Sequence, residues 1–432
     1  MSALFLVVVL FACLLLGVPV AISLGLASIG TMVFFADQSL VSLAQRFFAT
    51  MQVYPLLAIP FFVLAGTLMT TGGTARRMIA FANALVGHFR GGLAMAALLA
   101  CAFFAAVSGS SPATVVAVGS IMIAGMASSG YTRAFAAGLI CNSGTLGILI
   151  PPSIVMVVYG AVTETSVGDL FLAGILPGAL LTLVLLASVA VVARRQGMPR
   201  QPRATLRKLL RTGREAFFGL ALVVVILGGI YLGAYTPTEA AAVSAVYAFV
   251  ISVFVYRDIR LVDIARVFKE SAATTAMLMF IIANAYLFAF VLTTEQIPQM
   301  ASAWIADQGL PPWGFLLALN LLMLLAGSFM EPTSVILILA PIMLPIAVEL
   351  GIDPIHLGII MTVNMEIGLV TPPVGLNLFV TAGVAELPMT AVIRAAAPWL
   401  LVLVSVLIVI TYVPQISLIV PEWVRAPTAA LS

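Results

Sequence analysis

Two stretches of this chain interrupt long apolar sequence with glycine, proline and small polar residues, and they constrain the fold more than any other feature. Ser108 to Pro152 reads SGSSPATVVAVGS, an apolar run, then NSGTLGILIPPS. Gly327 to Pro373 reads GSFMEPTSV, an apolar run, then NMEIGLVTPP. In a soluble protein each would be a loop. The surroundings exclude that, because 63% of the 432 residues are hydrophobic and only 8% are charged. With a mean hydropathy of +1.21, the chain is a polytopic membrane protein. Broken helices at membrane depth persist only where protein, water or an ion satisfies the freed backbone groups. Two such breaks in corresponding places of two halves point to the ion and substrate site of a transporter.

The halves echo each other at an offset of about 220 residues. Pro112 pairs with Pro332, Pro151 and Pro152 with Pro372 and Pro373, Pro177 with Pro398, and Thr114 with Ser334; Pro19 resembles Pro237. The expected fold is all-α, with two inverted repeats. Each repeat has scaffold helices, an arm helix, a re-entrant hairpin and a broken transmembrane helix.

In the first repeat, residues 1–193, the scaffold is 1–72, with Gly17 and Pro19 dividing the opening apolar run. That run lacks a basic leader and continues into more apolar sequence, so it reads as a helix that stays rather than a signal peptide. The arm is 74–90, the hairpin 91–128, the broken helix 133–165 and a further span 169–193. A basic link, 194–215, joins the halves. In the second repeat, 216–432, the scaffold is 216–292, the arm 295–312 with Trp304, the hairpin 313–350, the broken helix 356–385 and the last span 389–412, followed by a short tail. The regions without breaks would form a rigid scaffold and those with breaks a moving block, an elevator arrangement.

Charge placement sets the expected orientation. With the link cytoplasmic, seventeen of the nineteen basic residues fall inside, and only Arg46 and Arg425 fall outside. Both termini are then outside and the repeats are inverted. Cys13, Cys101 and Cys141 lie in apolar segments and read as packing residues, not a disulfide or metal set.

The tips carry the candidate site. Ser108, Gly109, Ser110 and Ser111 face Asn142, Gly144, Thr145 and Gly147, a set of hydroxyl, amide and carbonyl oxygens that suits Na⁺. The alternative is close helix packing by small residues. In the second half Gly327, Ser328, Glu331 and Thr333 face Asn364, Glu366, Gly368 and Thr371. Acids at membrane depth are expensive and usually functional, so Glu331 and Glu366 are candidates for holding a cation or carrying a proton. Alternatively, Glu331 caps the helix that follows it and Glu366 sits at a watery edge. Helix N-termini favour a carboxylate, and Ser111, Thr145, Pro152, Glu366, Thr371 and Pro373 are the residues expected to meet a substrate there.

The sequence resembles the large membrane subunit, DctM type, of tripartite ATP-independent periplasmic (TRAP) transporters over essentially its whole length. The resemblance is carried by SGSSPATVVAVGS, NSGTLGILIPPSIVMVVYG, GDLFLAGILPG, GSFMEPTS and TPPVGLNLFV. It implies a bacterial inner-membrane protein that moves organic acids, C4-dicarboxylates or sugar acids such as sialic acid, inward with Na⁺. It also implies elevator movement, Na⁺ sites at the hairpin tips and facing breaks, a small four-helix membrane subunit as a separate chain, and a soluble periplasmic binding protein. Lipids are the only other expected partner; nucleic acid is not. The nearest alternative is a free-standing Na⁺- or H⁺-coupled dicarboxylate carrier. An intramembrane enzyme is disfavoured, since His88 and His356 are the only histidines and no HExxH or paired-aspartate motif occurs; the absence of GxxxxGK[ST] argues against an ATP-driven pump.

Overall fold

The described residues, 2–35, 40–300 and 310–429 of a computed structural model, are mainly helical. Eight of the described helical segments are long and apolar enough to cross a membrane. Large apolar side chains such as Leu183, Val224, Val246 and Leu401 lie exposed on them, where lipid would cover them.

The first part contains α1 (Ser2–Leu15), α2 (Val20–Phe35), α3 (Leu40–Thr50) and α4 (Ala58–Thr71). The turn between α1 and α2 is made by Gly17, at φ 79°, and Pro19. Next come α5 (Thr74–Val86), the hairpin α6 (Gly92–Ser108) and α7 (Ser111–Ser128), and α8 (Arg133–Ser143). A 3₁₀ turn over Gly144–Ile148 and the Pro151–Pro152 pair separate α8 from α9 (Ile154–Thr163), and α10 (Val167–Arg195) follows. The second part contains α11 (Leu206–Tyr231), α12 (Pro237–Val250) and α13 (Ile264–Thr294), then the hairpin α14 (Pro312–Gly327) and α15 (Pro332–Glu349). The broken pair α16 (Pro354–Gly368) and α17 (Leu376–Ala385), then α18 (Met389–Tyr412) and α19 (Gln415–Ala429), complete it. From α6 to α10, each helix begins about 220 residues before its counterpart among α14 to α18.

Local signals set many starts. Thr236 and Glu239 form a reciprocal capping box with Pro237 at the first turn of α12. Asp353 accepts from the Ile355 and His356 amides ahead of Pro354. Proline also opens α7 and α15, so each hairpin turns at a residue that cannot continue the preceding helix.

Two readings of the chain change. The basic link is not all connection: Thr205 caps α11 by accepting from the Lys208 amide, and the helix then runs through Arg207 to Glu215. Leucine, lysine and arginine are good helix formers, and the density of charge concealed this. The short tail is a helix, α19, packed on α10 and α16. Its Pro421 and Pro427 look like breakers. The lost bonds are offset by packing, by an ion pair from Arg425 to Asp169 on α10, and by a contact of Ser417 Oγ with His356 Nδ1 at 3.2 Å. Trp304, in the arm expected over 295–312, lies outside the described residues.

Packing divides the molecule as follows. α2, α4, α12 and α13 pack together, α5 lies between α11 and α6, and the hairpins and broken helices form the remaining body. Inside that body the halves cross. α9 packs on α15 of the second hairpin, and α17 packs on α7 and α8 of the first. Tyr159 of α9 donates to the Pro354 carbonyl at 2.7 Å, fixing the crossing at a second point.

α8 comes close to α18 at Gly138, where an added Cβ would lie 2.2 Å from the Ala395 carbonyl oxygen. Gly138→Ala is expected to cost about 1–3 kcal/mol by overpacking, read as a lower melting temperature in detergent. Gly125→Ala, where nothing lies within 4 Å of the new atom, should leave it unchanged.

Candidate functional site

Both hairpin tips open into one cavity of about 510 Å³. Ser108 to Ser111 line one side, and Glu331, Pro332 and Thr333 another. Gly66, Thr67 and Thr70 of α4 close it, as do Glu270, Thr274 and Met277 of α13. The tip approaches α4 so closely that a Cβ on Gly66 would lie 2.9 Å from the Ser108 carbonyl oxygen.

The first tip turns at Gly109, whose φ of 59° is left-handed and whose added Cβ would meet the Pro152 carbonyl oxygen at 2.8 Å. Only glycine meets both demands. Ser108 Oγ lies 3.0 Å from Thr114 Oγ1, which donates to the Ser110 carbonyl. Ser111 Oγ donates to the Gly144 carbonyl at 3.0 Å and accepts from Asn377 Nδ2 at 2.7 Å. At Gly147 the facing break comes against the tip backbone, with an added Cβ 2.6 Å from the Ser110 carbonyl oxygen.

The second tip is built alike in backbone and differently in side chains. Gly327 and Gly368 touch backbone to backbone, an added Cβ on Gly368 lying 2.7 Å from Gly327 Cα. The Ser328 carbonyl accepts from the Gly375 amide at 3.1 Å. Glu331 caps α15, accepting from the Ser334 amide at 3.2 Å and from Thr333 Oγ1 at 2.6 Å. A carboxylate there is favoured by the helix dipole.

Behind each tip stands a buried asparagine. Asn142 donates its amide to the Gly138 and Ala396 carbonyls, and Asn364 donates to Ile360 O and to Asn320 Oδ1. Both are fully buried, and the Oδ1 of each has no hydrogen-bond partner among the described residues. An unpaired buried carbonyl is costly. Two at equivalent positions form acceptor sets suited to a cation.

Thr145 and Glu366 meet where the two breaks face each other. Thr145 Oγ1 lies 2.7 Å from Glu366 Oε1 and 2.6 Å from the Asn142 carbonyl. Glu366 is fully buried, away from any watery edge, and its Oε2 has no partner among the described residues. Of the residues expected to meet a substrate, Ser111 lines the cavity. Thr145, Glu366 and Pro152 are buried, Thr371 is half-buried, and Pro373 is exposed. Thr371 Oγ1 donates to Ile367 O at 2.8 Å.

Several site residues escaped the sequence reading. Asn377, from the second half, completes the first tip and also lies 3.4 Å from the Cys141 carbonyl. Its signal was a lone amide in the apolar segment GLNLFV. Thr67 and Thr70 on α4, and Glu270 and Thr274 on α13, form the opposite wall; their three- and four-residue spacing places each pair on one helix face.

Paired hairpin tips, each against a broken helix and walled by unbroken helices, define a multi-pass membrane transporter of the broken-helix class. At the level of fold, the chain is similar to the crystal structure of the Alcanivorax borkumensis YdaH transporter. The TM-score is 0.58 at 14% identity, covering 85% of this chain and 88% of that one. The chain belongs to the family described as "Tripartite ATP-independent periplasmic transporter, DctM component", whose profile matches residues 7–416. It is 63% identical over 401 residues to the C4-dicarboxylate TRAP transporter large permease protein DctM of Pseudomonas aeruginosa, covering 93% of this chain and 94% of the relative. It is 53% identical to the protein of that name from Vibrio cholerae, covering 99% of each. Members of this family are transporter components, so the chain is a transport protein and not an enzyme.

Thr145→Val removes the hydroxyl that Glu366 meets in the interior. The expected cost is about 1–3 kcal/mol, the penalty for leaving a buried polar group unpaired, seen as a reduced melting temperature in detergent. The double variant Thr145→Val/Glu366→Leu should recover part of that loss.

Proposed function

We propose that this chain is the large membrane subunit of a Na⁺-coupled importer of C4-dicarboxylates in the bacterial inner membrane. It works with a small four-helix membrane subunit and a periplasmic binding protein that delivers the substrate. The observation that carries the Na⁺ reading is the pair of buried, unpartnered amide oxygens, Asn142 Oδ1 and Asn364 Oδ1. Each stands behind a hairpin tip that adds backbone carbonyls and hydroxyls. Neutral oxygen donors in a low-dielectric interior fit a hard monovalent cation, which supplies charge that a dicarboxylate can follow into the cavity. In the first site the donors are Ser108, Gly109, Ser110, Ser111, Asn142, Gly144 and Gly147. In the second they are Gly327, Ser328, Thr333, Asn364, Gly368 and Thr371, with Glu331 holding the end of α15.

The substrate follows from the two DctM relatives named for C4-dicarboxylates, which favour that class over a sugar acid. Their tripartite systems likewise favour dependence on a binding protein over a free-standing carrier. In this reading the tips and broken helices slide as one block against α2, α4, α12 and α13. The small residues Gly66, Thr67 and Thr70 on the α4 wall support such movement, since they offer little relief to catch on. The two halves are inverted, with the basic stretch 194–215 at the cytoplasmic face, as the distribution of arginine and lysine favours.

The test is uptake of labelled C4-dicarboxylate into proteoliposomes that hold this chain and its small subunit, with the binding protein outside. Uptake is expected to need both the binding protein and an inward Na⁺ gradient. Uptake without the binding protein would establish a free-standing carrier, and uptake on a pH gradient alone would remove Na⁺ as the coupling ion. Asn142→Ala and Asn364→Ala should each raise the Na⁺ concentration for half-maximal uptake by about tenfold, the equivalent of one lost ligand of about 1.4 kcal/mol. A crosslink from α4 to the first hairpin that leaves uptake normal would overturn the sliding block.

A further inference from the structure

A second cavity is larger than the one at the tips. It encloses about 890 Å³ at the corner between α4 and α5, and its wall carries Arg76 and Arg77 from α5 and Arg211 and Arg214 from α11. Two acids, Glu215 and Asp258, share the wall.

The pairing inside is selective. Arg77 is held by Asp258 and stacks on the Tyr256 ring, its guanidinium carbon 3.8 Å from the ring centroid. Arg211 is tied to Glu215 at 3.0 Å, and Glu215 is fixed in turn through its carbonyl, which accepts from Tyr256 at 2.6 Å. Both acids are thereby used. Arg76 and Arg214, on opposite walls, have no ion-pair partner among the described residues. Two guanidinium groups facing one space from two helices favour an anion that can take a planar, two-pronged hydrogen-bond donor from each, as a phosphate does.

The rim identifies the rest of the ligand. Phe218 and Val255 line the cavity, and Leu210, Phe217 and Phe254, next to lining residues in sequence, are large apolar side chains left exposed. Residues from Leu206 to Phe217 on α11 carry leucine and phenylalanine alternating with arginine and lysine, the composition of a helix lying at a membrane surface. A soluble anion would gain nothing from that apolar rim. A molecule with a phosphate head and acyl tails would use both parts. Basic pockets between membrane helices commonly hold anionic headgroups.

We propose that the cavity between α5 and α11 is a binding site for an anionic phospholipid, its phosphate held by Arg76 and Arg214 and its tails lying against Phe217, Phe254 and Val255. The site touches Thr71 and Gly73, so the lipid would brace the corner where α4 hands over to α5. The inference rests on this cavity alone and stands or falls separately from Na⁺ coupling.

The experiment is thermal unfolding of the full-length chain in neutral detergent, with cardiolipin, phosphatidylglycerol, phosphatidylcholine or inorganic phosphate added. Cardiolipin and phosphatidylglycerol should raise the melting temperature by about 3 °C or more, and phosphatidylcholine should not. Arg76→Gln/Arg214→Gln should lose at least half of that shift, while Arg133→Gln/Arg394→Gln, which removes equal charge elsewhere, should keep it. An equal shift in both double variants would overturn the site. A shift with inorganic phosphate as large as that with the lipids would overturn the lipid and assign the cavity to a soluble phosphate. Native mass spectrometry of the wild-type chain gives a second readout that needs no variant. An anionic phospholipid should stay bound at collision energies that strip phosphatidylcholine, and equal loss of the two would count against the proposal.

Discussion

A peptide group left bare in hydrocarbon costs several times more than one in water, and the centre of this molecule is arranged around the peptide groups that its helix breaks release. Protein takes up many of them. Ser111 holds the Gly144 carbonyl, Gly375 donates to Ser328, the Asn377 amide reaches the Leu369 carbonyl, and Thr114 ties down Ser110. The buried polar atoms left without a partner among the described residues include the amide oxygens of Asn142, Asn364 and Asn377, together with Ser143 Oγ, Thr381 Oγ1 and Glu366 Oε2. The bare amide oxygens at the matched positions 142 and 364 are the ones on which the proposed cation sites rest. The same economy explains the glycines. A tip can reach the opposite break only where no side chain stands between two backbones, as at Gly147 and at Gly327 with Gly368.

The crossing of the two halves ties these sites together. α17 completes the first tip and α9 supports the second hairpin, so neither half owns a complete site. Thr145 and Glu366 join the breaks directly at the centre. In the two-ion reading proposed above, these few short bonds would be the physical route by which occupancy at one tip acts on the other.

Much of the architecture was legible in the residues. Gly17 and Pro19 mark the first turn, SGSSP and GSFMEP the tips, and the proline pairs at 151–152 and 372–373 the breaks, because each removes a donor or a helical conformation from otherwise uniform apolar sequence. The capping role of Glu331 was one of two readings open from its place before Pro332. What stayed hidden depended on three-dimensional partners. A repeat offset gives the order of elements and is silent on which half packs against which, so the crossing and Asn377 could not be read. The threonines of α4 face the cavity only because α13 and the tips stand opposite. The helix 415–429 forms because α10 offers it a surface and a carboxylate, whereas its own prolines argue against it.

The crossing also sets an order of events during synthesis. Ser111 and Cys141 emerge from the ribosome early, but Asn377, which they await, follows more than two hundred residues later. At cellular elongation rates that gap is on the order of ten seconds or more. Throughout it the first hairpin sits in the membrane with part of its polar interior unfinished. The early half is thus a provisional structure that the late half makes permanent, and the finish of the first tip is decided by sequence translated near the end of the chain.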